Sequence, residues 1–333
     1  MRYALVILAL TAGCKQENDF YEQTGSDTWR QAENDQVDIL FVVDNSCSMA
    51  EEQATLGAGF TSFAEQLEGS QTRFHLGVIS TSFDYTDPER GKLVGEGPLF
   101  LTEEDPGYVA EFASRAAVGT GGDDQEKGLA AAAYALGPVA NLDLNDGFVR
   151  RDARMLIVFV SDEEDCSDDG ALLGLSGEEC YTRRDELVPV AEYVEEFRGL
   201  KDNLEDVQAT AIIGVEGSAC QNVYPSTRYR QVAELTGGSV NNICEGDWGE
   251  MLTNLGLNAS GVIEQFQLSK AAKPETLEVY VDDVLIPQEL RSGYSYDETT
   301  WYIRFAPSAV PPRGSVIVAN YTVQPGQPSP PGL

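Results

Sequence analysis

The sequence predicts an α/β fold: a doubly wound, mostly parallel sheet flanked by helices, followed by a small antiparallel β domain. Three observations predict it. Near-continuous apolar runs such as Val37–Val43 and Met155–Val160 alternate with helical patterns through the middle of the chain, as expected for strands buried on both faces of a helix-covered sheet. After Leu257 the runs become short and β-branched or aromatic, with turn-rich pieces between them, the pattern of antiparallel strands. The 333 residues, 42% of them hydrophobic, suffice for one large domain or two with a sizeable core.

In chain order, the first element is a targeting segment. Arg2 supplies a positive charge, and Tyr3 to Ala12 is almost wholly apolar but too short to span a bilayer as a mature helix. Leu10-Thr11-Ala12-Gly13-Cys14 resembles a bacterial lipoprotein signal. That resemblance implies cleavage before Cys14, a lipid on Cys14 and, because Lys15 rather than Asp follows, an outer-membrane or cell-surface location. Residues 1–13 are thus read as signal peptide and 14–35 as a polar tether.

Residues 36–260 carry the α/β pattern. Val37–Val43 reads as a strand, Glu51–Leu67 as an amphipathic helix, Phe74–Thr81 as a strand and Leu129–Leu136 as an Ala-rich helix. Met155–Val160 is a further strand, Leu187–Leu200 a helix, Val207–Val215 a strand and Arg228–Leu235 a short helix. Residues 261–323 read as the small β domain, with strands in Val262–Leu268, Thr276–Val281, Thr300–Phe305 and Ser315–Tyr321. Residues 324–333 form a Pro-rich tail, predicted to be disordered.

Charge and cysteines narrow the function. With 22 basic and 55 acidic residues the net charge is −33, which argues against a nucleic-acid partner and suits a surface that attracts cations. An exported chain meets an oxidising compartment, so disulfides are expected among Cys47, Cys166, Cys180, Cys220 and Cys244. Cys166–Cys180 and Cys220–Cys244 are the favoured bridges, each contributing about 3 kcal/mol in the chain-entropy model. Cys47–Cys166 is the competing pair. A zinc site is not expected: no CxxC is present, and the one histidine, His75, lies in a strand-like run.

The candidate site begins at Asp44-Asn45-Ser46-Cys47-Ser48, where the first apolar strand ends. Ligands of such sheets gather at the carboxyl ends of the strands. Asp162 follows the Met155–Val160 strand and Ser161 in the same way. Asp44, Ser46, Ser48 and Asp162 offer only hard oxygens, which selects Mg²⁺, Ca²⁺ or Mn²⁺. The run from Asp162 to Asp169 holds six carboxylates. Like charges about 4 Å apart repel by up to about 4 kcal/mol at an effective dielectric near 20, so a cation would relieve such a loop. Glu163, Glu164, Asp168 and Asp169 are read as its solvated part.

At these residues the chain resembles von Willebrand factor type A domains. Asp44, Ser46 and Ser48 match that family's DxSxS motif, Asp162 matches its acid after the fourth strand, and the similarity runs roughly from Val37 to Leu257. The resemblance implies a metal-ion-dependent adhesion site: the two serines bind the ion directly, the two acids act through water, and one coordination position stays open for an Asp or Glu of a protein partner. The family's remaining ligand is a Thr in the loop before a helix. Counting back from Gly128-Leu129 puts Asp123 there, with Thr120 as the alternative.

The resulting expectation is a cell-envelope lipoprotein that binds a protein through a divalent cation, in adhesion or envelope assembly. The alternatives are a metal-dependent hydrolase using the acidic cluster, or a structural envelope protein with a purely stabilising ion. Against the hydrolase stands the lack of a Ser-His-Asp set, a GxSxG elbow or a P-loop.

Overall fold

The computed structural model describes residues 23–31, 34–218, 220, 223–246 and 248–326. The signal peptide, Cys14 and residues 327–333 of the tail lie outside them. The strands in chain order are β1 (Thr24–Arg30), β2 (Gln36–Val43), β3 (Arg73–Ser80), β4 (Arg154–Ser161), β5 (Val207–Ile213), β6 (Val240–Asn242), β7 (Gln265–Gln267), β8 (Glu278–Val281), β9 (Val284–Ile286), β10 (Tyr294–Tyr296), β11 (Tyr302–Phe305) and β12 (Val316–Thr322). The α-helices are α1 (Ala50–Gly69), α2 (Tyr108–Ala116), α3 (Gly128–Leu136), α4 (Pro138–Asp143), α5 (Glu179–Thr182), α6 (Val190–Arg198), α7 (Thr227–Leu235) and α8 (Gly249–Ser260). The chain divides into two compact units, one of Arg30–Glu264 with Val310–Ser315, the other of the remaining parts.

The larger unit is a five-stranded sheet in the order β3-β2-β4-β5-β6. Every pairing in it is parallel. Strand β2 shows why the sheet is covered on both faces. Val37, Ile39, Phe41 and Val43 pack into one apolar cluster with residues of α1, α2 and α8. Leu40 and Val42 enter a second cluster with α3, α6 and α7. A strand buried on both faces calls for apolar residues on both, hence the apolar run Ile39–Val43, with Asp38 as the charged exception near the amino end. Edge-to-face aromatic contacts tighten the first cluster, with Phe41 and Phe112 centroids 4.8 Å apart.

The connectivity positions the site. From β2 the chain passes through α1 to β3 on one side, then returns to β4 on the other side of β2. The carboxyl ends of β2 and β4 therefore flank a topological switch point, where a doubly wound sheet opens a crevice. Asp44 follows β2 and Asp162 follows β4. The Asp44 amide donates to the Val160 carbonyl at 2.9 Å, so the two strands stay paired up to the crevice.

The smaller unit holds two sheets, β1-β12-β8-β9 and β10-β11-β7. Pairs β12–β8, β8–β9, β10–β11 and β11–β7 are antiparallel, so the small β domain is present as expected. Its N-terminal boundary needs correcting. Within the expected tether 14–35, Thr24–Arg30 is a strand. Its exposure alternates residue by residue, with Gly25, Asp27 and Trp29 on the more buried face. Asp27 accepts the Tyr321 hydroxyl at 2.7 Å, and Trp29 lies 5.3 Å from the Phe266 ring. At Gly25 a Cβ would come within 2.6 Å of the Tyr321 ring, so only glycine lets the strand lie this close. Val310–Ser315, expected within the β domain, belongs to the larger unit, where Arg313 donates to the Asn34 and Ser260 carbonyls.

Both favoured disulfides are present, Cys166–Cys180 with Cα atoms 5.2 Å apart and Cys220–Cys244 with Cα atoms 5.5 Å apart. Cys47 is free and exposed, so the competing Cys47–Cys166 bridge is not formed. Among the described residues no helix is long and apolar enough to cross a membrane.

Candidate functional site

The loop after β2 is organised by Asp44. Its buried carboxylate accepts the Ser46 amide at 2.7 Å and the Ser161 hydroxyl at 2.6 Å. The turn this creates sets the Ser46 and Ser48 hydroxyl oxygens 3.1 Å apart. Cys47, between them, faces solvent. Two residues apart in a tight turn, the serines share one side, as the spacing predicts.

A second loop is fastened on top. Gln53 donates its side-chain amide to the Asp44 carbonyl at 2.9 Å and the Gly119 carbonyl at 2.8 Å. The Gly122 amide donates to the Asn45 carbonyl at 2.8 Å, and the Ser82 hydroxyl to the Asn45 side chain at 2.9 Å. A Cβ on Gly122 would stand 2.5 Å from the Asn45 side-chain oxygen, so this approach requires glycine.

The structure sorts the predicted site residues. Asp44, Ser46, Ser48 and Asp162 come together: the Ser48 hydroxyl lies near enough to the Asp162 carboxyl to favour its charged form, and Asp44 and Asp162 feel each other's charge. Asp162 is 1% exposed, yet its Oδ1 has no hydrogen-bond partner. Asp123 is exposed, with its carboxylate accepting the Asp124 amide at 2.8 Å, and Thr120 is exposed too. The acid that this loop buries beside Asp44 is Glu126, which sequence reasoning did not single out. Its only signal was an acid placed just before the α3 pattern.

The acidic run also sorts differently from expectation. Glu164 is buried rather than solvated, because it caps α7: it accepts the Ser226 hydroxyl at 2.9 Å and the Thr227 and Arg228 amides at 3.0 and 2.9 Å. A carboxylate at a helix N-terminus satisfies orphan amides and complements the macrodipole. Asp165 accepts the Leu129 amide near the start of α3 and the Arg228 guanidinium, each at 2.9 Å. Asp168 is likewise buried, 2.9 Å from Lys127. Asp169 is exposed, as expected, and Glu163 is half-buried.

What remains is a cluster of acids without a cation. Among the described residues no Lys, Arg or His forms an ion pair with Asp44, Glu126, Asp162 or Glu163, since Lys127 goes to Asp168 and Arg228 to Asp165. Burial pushes Asp44 up, against the hydrogen bonds it accepts. Burial, then the Asp44 charge, push Glu126 well above the usual carboxylate range. The same two causes raise Asp162 and Glu163 to about 7 each. Unpartnered oxygens remain on Asp162, Glu126 and Glu52. Among the described residues no group of three or more His, Cys, Asp or Glu is placed to hold a metal ion. The donor set here is mixed, carboxylates with two serine hydroxyls, and its hard oxygens and orphaned acceptors suit a divalent cation.

A separate groove of about 670 Å³, lined by Tyr85, Tyr134 and Tyr193 among others, shares no residue with this cluster.

Comparison with known proteins follows from this geometry. No family model matches the chain, and no curated protein does. Solved structures that it resembles include a von Willebrand factor type A protein from Catenulispora acidiphila, with 12% identity and a TM-score of 0.37 over 94% of this chain and 68% of that one. The pilus adhesin SpaC from Lactobacillus rhamnosus GG, in its open conformation, shares 11% identity with a TM-score of 0.43 over 92% of this chain and 42% of its own. Proximal thread matrix protein 1 of the mussel byssus shares 13% identity with a TM-score of 0.40, over 73% of this chain and 51% of its own. The chain thus aligns with about half or less of the adhesin and byssus proteins.

Proposed function

We propose that this chain is an exported, lipid-anchored envelope protein that binds a protein partner through a divalent cation at the carboxyl edge of its parallel sheet. One observation carries the reading: the buried, unpartnered Asp162 Oδ1 beside Asp44 and the paired Ser46 and Ser48 hydroxyls, with no basic group of the described residues joined to them. Burying an ionised carboxylate unpaired is costly, and a bound cation offsets that cost. Asp44, Ser46, Ser48 and Asp162 would hold Mg²⁺ or Ca²⁺, with Mn²⁺ as a further candidate. Asp123 and Thr120 belong to the ligand set only if their exposed loop moves inward. The ion would supply a local positive charge on a strongly acidic surface, the feature needed to attract an Asp or Glu presented by the partner. The role is non-enzymatic and needs no catalytic residue.

Calorimetric titration with Mg²⁺ and Ca²⁺ tests the site: binding by wild type and none by Asp44→Ala is expected, and equal binding by both sinks the assignment. A pull-down from envelope extract with and without EDTA tests the role, with Ser48→Ala as the folded control that should lose the partner. Capture that is unchanged in EDTA would place recognition elsewhere. Incorporation of labelled palmitate, abolished in Cys14→Ser, tests the anchor. The two disulfides fit an oxidising compartment.

A further inference from the structure

Glu126 is 1% exposed, and its two carboxylate oxygens have different fates. Oε2 accepts the Thr81 hydroxyl. Oε1 is buried and has no partner. The same carboxyl group lies beside the Asp44 carboxyl, and two ionised acids so placed repel each other. The neighbouring Lys127 does not relieve it, because its ammonium goes to Asp168 at 2.9 Å. The backbone holds Glu126 in this position. The Lys127 amide donates to the Thr81 carbonyl at 3.0 Å, and the Tyr229 hydroxyl accepts the Gly128 amide at 3.1 Å. The Glu126 carbonyl also accepts the Cys166 amide, so the segment is fixed from the end of β3, from α7 and from the disulfide-closed loop.

We infer that Glu126 is a direct cation ligand that bridges to the ion shared with Asp44, and that it gives the site a preference for Ca²⁺ over Mg²⁺. This rests on the cation site proposed above. Mg²⁺ demands near-ideal octahedral geometry and keeps several waters, whereas Ca²⁺ takes six to eight oxygens, including carboxylates that bind through both oxygens. A buried carboxylate beside Asp44 and the two serine hydroxyls adds to the number and charge of the oxygen donors there, which favours the larger ion. It also neutralises more of that ion, which is then held tightly and pulls less on a partner's acid.

The test is titration of the purified full-length protein with Ca²⁺, Mg²⁺ and luminescent Tb³⁺, on wild type, Glu126→Gln and Glu126→Asp. Thermal melts in chelator serve as the fold control. Glu126→Gln should weaken Ca²⁺ by about 10- to 100-fold, the scale on which even outer partners of a metal act. Mg²⁺ should weaken less, so the Ca²⁺/Mg²⁺ ratio falls. In chelator Glu126→Gln should melt no lower than wild type, since it removes a buried like charge. Glu126→Asp keeps the charge but shortens the reach, and should lose Ca²⁺ affinity even if the Gln variant fails to fold. If wild type binds Ca²⁺ and both variants bind it equally well, Glu126 is no ligand while the site stands. If wild type binds none of the three ions, the site itself is wrong, and Asp44 and Glu126 share a proton instead.

Discussion

Strand β2 carries a buried aspartate near each end, and the two are treated in opposite ways. At the amino end Asp38, fully buried, accepts the Lys201 ammonium at 2.7 Å and the Arg150 guanidinium and amide at 2.8 Å each. Lys201 is itself 4% exposed. At the carboxyl end Asp44, equally buried, meets hydroxyls, amides and further acids, and no basic side chain of the described residues. One strand thus separates a charge cluster closed by the protein from one left open. A closed cluster serves the fold. On the function proposed above, the open cluster at the switch point is where a ligand from solution would bind.

The largest expected effect breaks the closed end. Asp38→Ala strands a buried ammonium and a half-buried guanidinium, and should cost about 3–5 kcal/mol in a urea unfolding series. Adding Lys201→Met should recover part of that loss, because it removes the orphaned charge. The equivalent cut at the open end, Asp44→Asn in chelator, should change stability by no more than about 1 kcal/mol, since removing a buried like charge offsets the lost hydrogen bonds. Equal losses at the two ends would erase the distinction drawn between them.

The next effect is linkage. An ion that binds only the folded state stabilises by about 2.7 kcal/mol at 100 times its dissociation constant. Wild type should therefore gain that much at saturating Ca²⁺ in the same urea series, Asp44→Asn should gain nothing, and Asp38→Asn should gain as much as wild type from its lower starting point. A cation response lost equally in the Asp38 variant would mean that the ion acts on the whole surface and not at the open end.

How far the sequence discloses this contrast depends on how local the cause is. Asp44, Ser46 and Ser48 are legible because period-two spacing after the apolar run Ile39–Val43 fixes where their side chains go. Asp162 is legible for the same reason. Glu126 is not: its place beside Asp44 depends on a loop pinned by Gln53, Asn45 and Thr81, contacts between residues far apart in the chain. Glu164, next to Asp165, misleads for a related reason. In the sequence they are one acidic run, while in the fold each serves a different helix start. The closed end is equally hidden, since Asp38, Arg150 and Lys201 meet only across 112 and 163 positions of chain. Strand β1 escapes notice because its inward face is Gly25, Asp27 and Trp29, which carries almost no apolar alternation. Helix α2 had a readable face in Tyr108, Phe112 and Ala116 at spacing four, but it is only nine residues long.

The smallest expected effect is a difference in pH slope between the two ends, measured as melting temperature in chelator from pH 5 to pH 7. At the open end Asp162 and Glu163 sit near 7, above ordinary values of 3.8 and 4.5, with burial as the main cause and the Asp44 charge second. An acid that keeps its proton longer folded than unfolded favours the folded state below its ordinary value. That contribution is lost as pH rises towards 7. At the closed end His75 behaves the other way. Burial lowers it below 6.5, its Nδ1 is 2.9 Å from the Phe148 carbonyl, its ring stacks on Phe100 at 4.1 Å, and Asp38, Arg150 and Glu103 act on its charge. The folded protein resists protonating it, so its contribution is present above 6.5 and lost as pH falls through that value. The two slopes oppose each other. Asp162→Asn should remove part of the open-end slope, so that stability falls less steeply with pH. His75→Gln should remove the closed-end slope and leave stability falling with pH. Saturating Ca²⁺ should mimic Asp162→Asn and leave the His75→Gln difference untouched. If Asp162→Asn leaves the profile unchanged in chelator, the open end carries no unmet charge, and the contrast between the two ends of β2 reduces to a difference in hydrogen bonding.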